Sequence, residues 1–92
     1  MKYTLTEKEE QVIQSYIDDL IAGKKCIDLS YLNVSPYNVR QMLYNNGFEE
    51  TFIDSNSDDY WRGFKHPKIG NVTLFYNAES FEITLTIEGD ND

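Results

Sequence analysis

The sequence predicts an α+β fold in which two helices pack on one face of a three- to four-stranded antiparallel sheet. Apolar residues recur at helical spacing in the first half of the chain, whereas apolar and polar residues alternate in the second half. Strict alternation is typical of strands with one buried and one wetted face, as in an antiparallel sheet covered on one side. The 92 residues suit a single domain spanning 1–92.

The first helix is predicted at residues 6–22. Thr6 and Glu9 form a capping box, which satisfies backbone N–H groups that a helix start otherwise leaves unpaired. Gly23 is expected to end the helix. The apolar stripe of this helix consists of Val12, Ile13, Tyr16, Ile17, Leu20 and Ile21.

The second helix is predicted at residues 36–46. Ser35 is a favourable N-cap, and Pro36 suits the first helical position, where its missing N–H costs nothing. Between the two helices, residues 26–34 alternate briefly and predict either a short strand or a single helical turn. Phe48 is expected to pack back over the last turn of the second helix. The residues expected to face inward are Val39, Met42 and Leu43.

Antiparallel strands are predicted within residues 48–88. Residues 48–54 and 59–65 are two candidates joined by a polar loop, and 72–77 and 81–88 are the clearest strands. In the last strand the predicted buried face contains Phe81, Ile83, Leu85 and Ile87. The matching face of its neighbour contains Val72, Leu74 and Tyr76, which leaves Phe75 as an apolar outlier on the wetted side.

The chain is strongly acidic, with sixteen Asp and Glu against eight Lys and Arg and a net charge of −8. This surplus, which includes an acidic tail at 89–92, repels nucleic acid and anionic membranes and favours basic partners. Residues 61–78 contain three cations and no carboxylate, which predicts a small basic corner on an acidic body. The single cysteine, the charged N-terminal segment and the lack of a membrane-length apolar run predict a cytoplasmic protein.

The sequence predicts no catalytic centre and no cofactor. Nucleophilic catalysis needs a base within hydrogen-bond reach of the nucleophile, and no motif brings together the one histidine, His66, and the one cysteine, Cys26. Neighbouring carboxylates such as Asp18 and Asp19 point apart on a helix and are typical of a solvated surface. We therefore expect a protein that is not an enzyme.

A calcium-like pattern occurs at residues 54–58, where Asp-Ser-Asn-Ser-Asp reproduces the opening of an EF-hand loop. The sixth position has Asp59 where the loop needs Gly, and the twelfth has Lys65 where it needs a bidentate acid. A hairpin turn explains the same residues. No metal site is therefore predicted, and weak calcium binding is the alternative.

Two segments indicate nucleic-acid binding. Residues 34–48 resemble the recognition helix of helix-turn-helix and winged-helix domains, in which a Val-Ser-Pro turn leads into a helix that runs through Gly into a β wing. The resemblance implies that helix 36–46 contacts DNA. The second segment interleaves aromatics, which stack bases, with cations, which neutralise phosphates. The contacts expected from it are Trp61, Arg62, Lys65 and Lys68, and a core strand ending in protective lysines is the alternative.

Protein binding is the function that the sequence favours. The second helix is predicted to present four side chains opposite its apolar face, and Tyr and Arg are common at interface hot spots. These side chains are Tyr37, Arg40, Gln41 and Tyr44. Together with Phe75 and the acid excess, they predict an adaptor or inhibitor that docks on a basic protein surface.

The most specific form of this prediction is nucleic-acid mimicry, in which carboxylates imitate phosphates and occupy a DNA- or RNA-binding groove. The chain is similar in size and charge to small acidic inhibitors that phages carry against host nucleases or CRISPR effectors. The residues expected to form such a face, if the first helix and first hairpin lie side by side, are Glu7, Glu9, Glu10, Asp18, Asp19, Glu49, Glu50, Asp58 and Asp59. The predicted partner is a nucleic-acid-binding protein or nuclease, and the alternative is a winged-helix-like domain that binds nucleic acid itself.

Overall fold

The computed structural model describes the backbone of residues 4–32, 34–55 and 59–88. One short strand lies between the two helices, four strands follow the second helix, and all five strands form one sheet. The elements in chain order are α1 (Glu7–Ile21), β1 (Cys26–Asp28), a 3₁₀ turn (Ser30–Leu32), α2 (Pro36–Asn45), β2 (Glu49–Ser55), β3 (Asp59–His66), β4 (Gly70–Asn77) and β5 (Glu82–Ile87).

The sheet has five antiparallel strands in the order β1-β5-β4-β3-β2. The predicted α+β class is confirmed, but the sheet has five strands where three to four were predicted. The additional strand is β1, whose Cys26 and Asp28 pair with Thr86 and Thr84 of β5. A segment of three residues cannot form a strand without a partner, and this partner lies far along the chain.

Helix α1 begins at the predicted capping box. The Glu9 backbone N–H donates to Thr6 Oγ1 at 3.1 Å, and the Thr6 N–H donates to Glu9 Oε1 at 2.9 Å. Its apolar stripe is buried against β1 and α2, with no exposed surface on Ile13, Ile17 and Leu20. The cap and the stripe together explain why the predicted bounds agree with the observed ones to one residue.

Helix α2 begins at Ser35, whose Oγ accepts the Tyr37 backbone N–H at 3.1 Å. Val39 and Leu43 are fully buried under the helix, as predicted. The Phe48 N–H donates to the Leu43 carbonyl oxygen at 3.0 Å, and the Phe48 side chain is buried, so the predicted return over the last turn is confirmed. This return leads the chain directly into β2.

The core lies between the helices and one face of the sheet. Cross-strand pairs join Leu74 to Leu85 and Tyr76 to Ile83, as the alternating pattern predicts. Placement of Phe81 on this face is wrong: Phe81 lies in the β4–β5 turn at φ 59° and is 55% exposed. Asn77 Oδ1 accepts hydrogen bonds from the backbone N–H groups of Glu79 and Ser80, which stabilises the turn. Strand β5 therefore begins at Glu82, one residue later than predicted.

The opposite face of the sheet has a cross-strand pair between Phe52 of the edge strand β2 and Gly63 of β3. The Phe52 ring occupies the space where a Cβ at position 63 would lie, and Thr51 Oγ1 is 2.8 Å from the same point. Gly63 therefore permits an aromatic side chain to lie flat on the sheet, a known way to compensate for a glycine within a strand.

The Gly63→Ala substitution tests this packing. We expect it to lower the free energy of unfolding by about 1–3 kcal/mol, because the new methyl group displaces the Phe52 ring. Urea denaturation of both single variants and of the Phe52→Ala, Gly63→Ala double variant measures the coupling. The loss caused by Gly63→Ala should be smaller in the Phe52→Ala background, and an equal loss in both would contradict the proposed contact.

Candidate functional site

The sheet face opposite the helices, termed the open face, is not covered by any element in residues 4–32, 34–55 or 59–88. Successive side chains of a strand point to opposite faces, and the core residues of these strands point toward the helices. The residues between them therefore point to the open face. The open face includes the side chains of Cys26, Asp28, Glu49, Phe52, Trp61, Lys65, Thr73, Phe75, Glu82, Thr84, Thr86 and Glu88.

Aromatic side chains form the centre of the open face. Trp61 and Phe75 are cross-strand partners whose ring centroids lie 4.4 Å apart at an interplanar angle of 49°. Trp61 is 38% exposed and Phe52 is 50% exposed. Phe75 is the outlier that the alternation placed on the wetted side. An exposed aromatic group on an uncovered sheet is a common feature of binding surfaces.

These rings line two adjacent depressions on the open face. The first, of about 240 Å³, is lined by Trp61, Thr73, Phe75, Thr84, Thr86 and Glu88. The second, of about 420 Å³, is lined largely by Thr51, Phe52, Gly63, Asn71, Thr73 and Glu88. Thr73 and Glu88 border both, and the Thr73 hydroxyl donates to Glu88 Oε2. The open face is thus shaped by its side chains and is not flat.

Carboxylates surround the aromatic centre. The exposed acids of the open face are Asp28, Glu49, Glu82 and Glu88. Hydrogen bonds from the Ser30 hydroxyl and backbone N–H lower the pKa of Asp28, so it is ionised at neutral pH. Lys65 is the one cation that the strand register places among these acids within the described residues, and it lies opposite Glu49. The rim of the open face is therefore negative.

A separate charged cluster lies on the helix side of the sheet and joins α2 to β2 and β3. Glu50 Oε2 accepts hydrogen bonds from Arg40 Nε and Arg62 Nη1, both at 3.1 Å, and Glu50 Oε1 accepts one from the Tyr44 hydroxyl at 3.1 Å. The side chains of Glu50 and Arg62 are only 16% and 14% exposed. Glu50 therefore works as a structural ion and not as a phosphate-like surface charge.

This cluster changes the predicted surface of the second helix. Gln41 is exposed as expected. Tyr37 is 51% exposed, and its ring also packs edge-on against Tyr60 of β3. Arg40 and Tyr44 instead lie toward the sheet, with Arg40 bound to Glu50 and the Tyr44 ring packed edge-on against Phe64. Placement of Tyr44 opposite the apolar face is wrong, because its ring packs partly buried against the core and its hydroxyl donates to Glu50.

The predicted nucleic-acid segment is divided between the two sides of the sheet. Trp61 and Lys65 lie on the open face, whereas Arg62 points toward the helices and Glu50. Lys68 lies in the β3–β4 turn. Neighbouring residues of a strand point to opposite faces, so these four side chains do not form one contact surface.

The predicted acidic residues are also separated. Glu7, Glu10, Asp18 and Asp19 are exposed on α1, which packs at the β1 edge of the sheet, and Glu9 belongs to the capping box. Glu49 and Glu50 lie on β2, the opposite edge. The first helix and first hairpin are therefore not side by side in the described residues. Of the calcium-like pattern at 54–58, the backbone of Asp54 and Ser55 belongs to the end of β2. Their side chains, residues 56–58, which include Asp58, and the side chain of Asp59 lie outside what the structure describes.

The histidine and the cysteine are not brought together. His66 ends β3, where its Nδ1 accepts the Lys68 backbone N–H at 3.1 Å, whereas Cys26 lies on β1, with β5 and β4 between the two strands. Within the described ranges, no three His, Cys, Asp or Glu side chains are grouped closely enough to hold a metal ion. No helix in those ranges has the length and apolar character that crossing a bilayer requires.

The fold and the open face define a small α+β protein with a one-sided sheet. Comparison of the chain with known protein families, with curated proteins and with solved structures finds no match in any of the three. The candidate site is consequently assigned from the chemistry and geometry of its own residues.

The Glu50→Gln substitution tests the ion cluster. Burial raises the pKa of Glu50, but the hydrogen bonds from Arg40, Arg62 and Tyr44 outweigh it and hold the pKa below its ordinary value of 4.5. The carboxylate therefore stabilises the folded state above pH 4.5, and this contribution is lost as the pH falls through the lowered folded-state value. We expect Glu50→Gln to cost about 1–2 kcal/mol of unfolding free energy at pH 7.

Urea titrations at several pH values measure this effect, with Glu49→Gln as the matched control on the same strand. The difference between the wild type and Glu50→Gln should shrink below pH 4.5, while Glu49→Gln stays close to the wild type throughout. A Glu50→Gln deficit that is the same at acidic and neutral pH would show that the ionised cluster does not stabilise the fold.

Proposed function

We propose that the protein is a non-catalytic interaction module that docks through its open face on a basic protein surface. The observation that supports this function is the exposed Trp61, paired with the partly exposed Phe75, within a rim of carboxylates. Aromatic side chains at the centre of an interface supply most of its binding energy, and rim charges set the association rate and the choice of partner.

The dimensions of the open face agree with this role. The Cα atoms extend over 36 × 31 × 18 Å, so the molecule is a slab with two broad faces. Five strands spaced about 4.8 Å apart, with a longest run of eight residues, give a face of roughly 500 Å². That area is at the low end for a specific interface, so a few strong contacts and favourable charge must provide the affinity.

The most specific form of the proposal is an inhibitor of a nucleic-acid-binding protein or nuclease. Such a protein displays cations where it binds phosphates, and these complement the acids around the open face and the net charge of −8. The inhibitor would act by covering that surface, with the aromatic centre contacting apolar or stacking residues within the groove.

Direct nucleic-acid binding has less support from the geometry. Arg40 and Arg62, two of the cations on which the sequence hypothesis depended, are both bound to Glu50. Phosphate contacts by Lys and Arg supply most of the affinity for nucleic acid. Lys65 lies opposite Glu49 on β2, so a polyanion would meet a largely negative rim on the open face.

Affinity capture with a matched pair of variants tests the proposal. Phe75→Thr removes one ring of the aromatic centre and places a β-branched residue there, as at Thr73 on the same face, whereas Glu7→Gln changes an exposed acid on α1. From nuclease-treated lysate of the native host, the wild type and Glu7→Gln should retain the same basic protein, salt should release it, and Phe75→Thr should lose it. Circular dichroism and urea denaturation confirm that each variant is folded.

The captured protein is then tested in a gel-shift assay with a labelled oligonucleotide. The wild type should abolish the shift in a concentration-dependent manner, and Phe75→Thr should need at least about tenfold more protein, a typical cost of losing one hot-spot aromatic. Equal retention by Phe75→Thr would contradict docking through the open face. An oligonucleotide shift by this protein alone would favour the nucleic-acid-binding alternative.

A further inference from the structure

The smaller depression of the open face has an unusual combination of groups for its size. Two aromatic rings, from Trp61 and Phe75, share its lining with the Glu88 carboxylate, and three threonine side chains complete it. None of the six lining residues is a cation. At about 240 Å³ the depression is smaller than the pockets that bind whole small molecules, which begin near 300 Å³, so it fits a single side chain.

The Glu88 carboxylate is held in place at the edge of this depression. The Thr73 hydroxyl donates to its Oε2, and the backbone N–H of Glu88 donates to the Asn71 carbonyl oxygen at 2.8 Å. Oε1 has no donor among the described residues, so it remains available to a ligand. A negatively charged acceptor is thus fixed in the same depression as an aromatic surface that contacts water.

The same combination of groups occurs, with arginines present, on the helix side of the sheet. Arg62 lies over the Tyr60 ring at 4.5 Å, and Arg40 over the Tyr44 ring at 5.1 Å. Both guanidinium groups bind Glu50. In each case one arginine contacts an aromatic face and a carboxylate together. The open-face depression supplies an aromatic face and a carboxylate without the arginine.

We infer that this depression binds an arginine side chain of the partner, with the guanidinium group stacked on Trp61 and hydrogen-bonded to Glu88. The inference rests on the proposed function and specifies its contact. Indole is the strongest of the aromatic groups for a cation. The planar guanidinium can stack and bond a carboxylate at the same time, which the compact ammonium group of lysine cannot do.

Trp61 provides a direct readout, because the chain contains one tryptophan. The indole N–H resonance of ¹⁵N-labelled protein is followed while a blocked Gly-Gly-Arg-Gly-Gly peptide is added. Matched peptides with citrulline, which keeps the planar shape without the charge, or with lysine are titrated in parallel. We expect a saturable shift with the arginine peptide, a weaker one with lysine and none with citrulline.

Two isosteric variants separate a specific contact from general attraction. Glu88→Gln removes the carboxylate of the depression but keeps an acceptor for Thr73, and Glu82→Gln removes an equal charge from the same face of the sheet at the opposite end of β5. Glu88→Gln should weaken arginine binding at least about fivefold, and Glu82→Gln should change it less than about twofold.

Equal effects of the two variants, equal binding of arginine and lysine, or no saturable shift would overturn the arginine assignment. Failure of the inference is distinguishable from failure of the proposed function. If Phe75→Thr loses the captured partner while the arginine peptide does not bind, the open face is the docking site but this contact is wrong. If the peptide binds and capture is unaffected by Phe75→Thr, the docking proposal itself fails.

Discussion

Both helices of this protein lie on one face of its five-stranded sheet, and the rest of the structure depends on that one-sided packing. Each strand must therefore present apolar residues to that side and water-compatible residues to the other. The Glu50 cluster fixes α2 on this covered side, since it binds side chains from the helix and from β3. The open face is what remains, and its aromatic residues are therefore exceptions to a strong compositional rule.

The elements that the sequence predicts well are those whose signals are local. The capping box and stripe of α1 and the alternation of β4 and β5 each lie within one short segment. Strand β1 is ambiguous in the sequence because its pairing partner is β5. Phe81 was misplaced because the turn that the Asn77 side chain stabilises extends through it, so β5 begins one residue later. Both depend on contacts that a short window of sequence does not contain.

The candidate site could be predicted only in part, for a related reason. Alternation identified Phe75, but its partner Trp61 was grouped with Arg62 because sequence proximity conceals the opposite directions of neighbouring strand residues. The number of acidic residues gives the net charge but does not show where the charges lie on the folded surface. Nothing in the sequence showed that Glu50 would be enclosed by Arg40 and Arg62 while Glu88 would be left open to solvent.

The pairing of β1 with β5 has a consequence for how the chain acquires its structure during translation. Residues 26–28 leave the ribosome early, yet their only sheet neighbour among the described strands is formed by residues 82–87. The nascent helices can form before that, but the apolar surface of Ile27 has no sheet to join until the final strand emerges. Pairing of β1 is therefore delayed until β5 is available, whereas the consecutive strands β2, β3 and β4 can pair as they emerge. A chain stalled before residue 82 would leave the apolar side of β1 without its sheet partner.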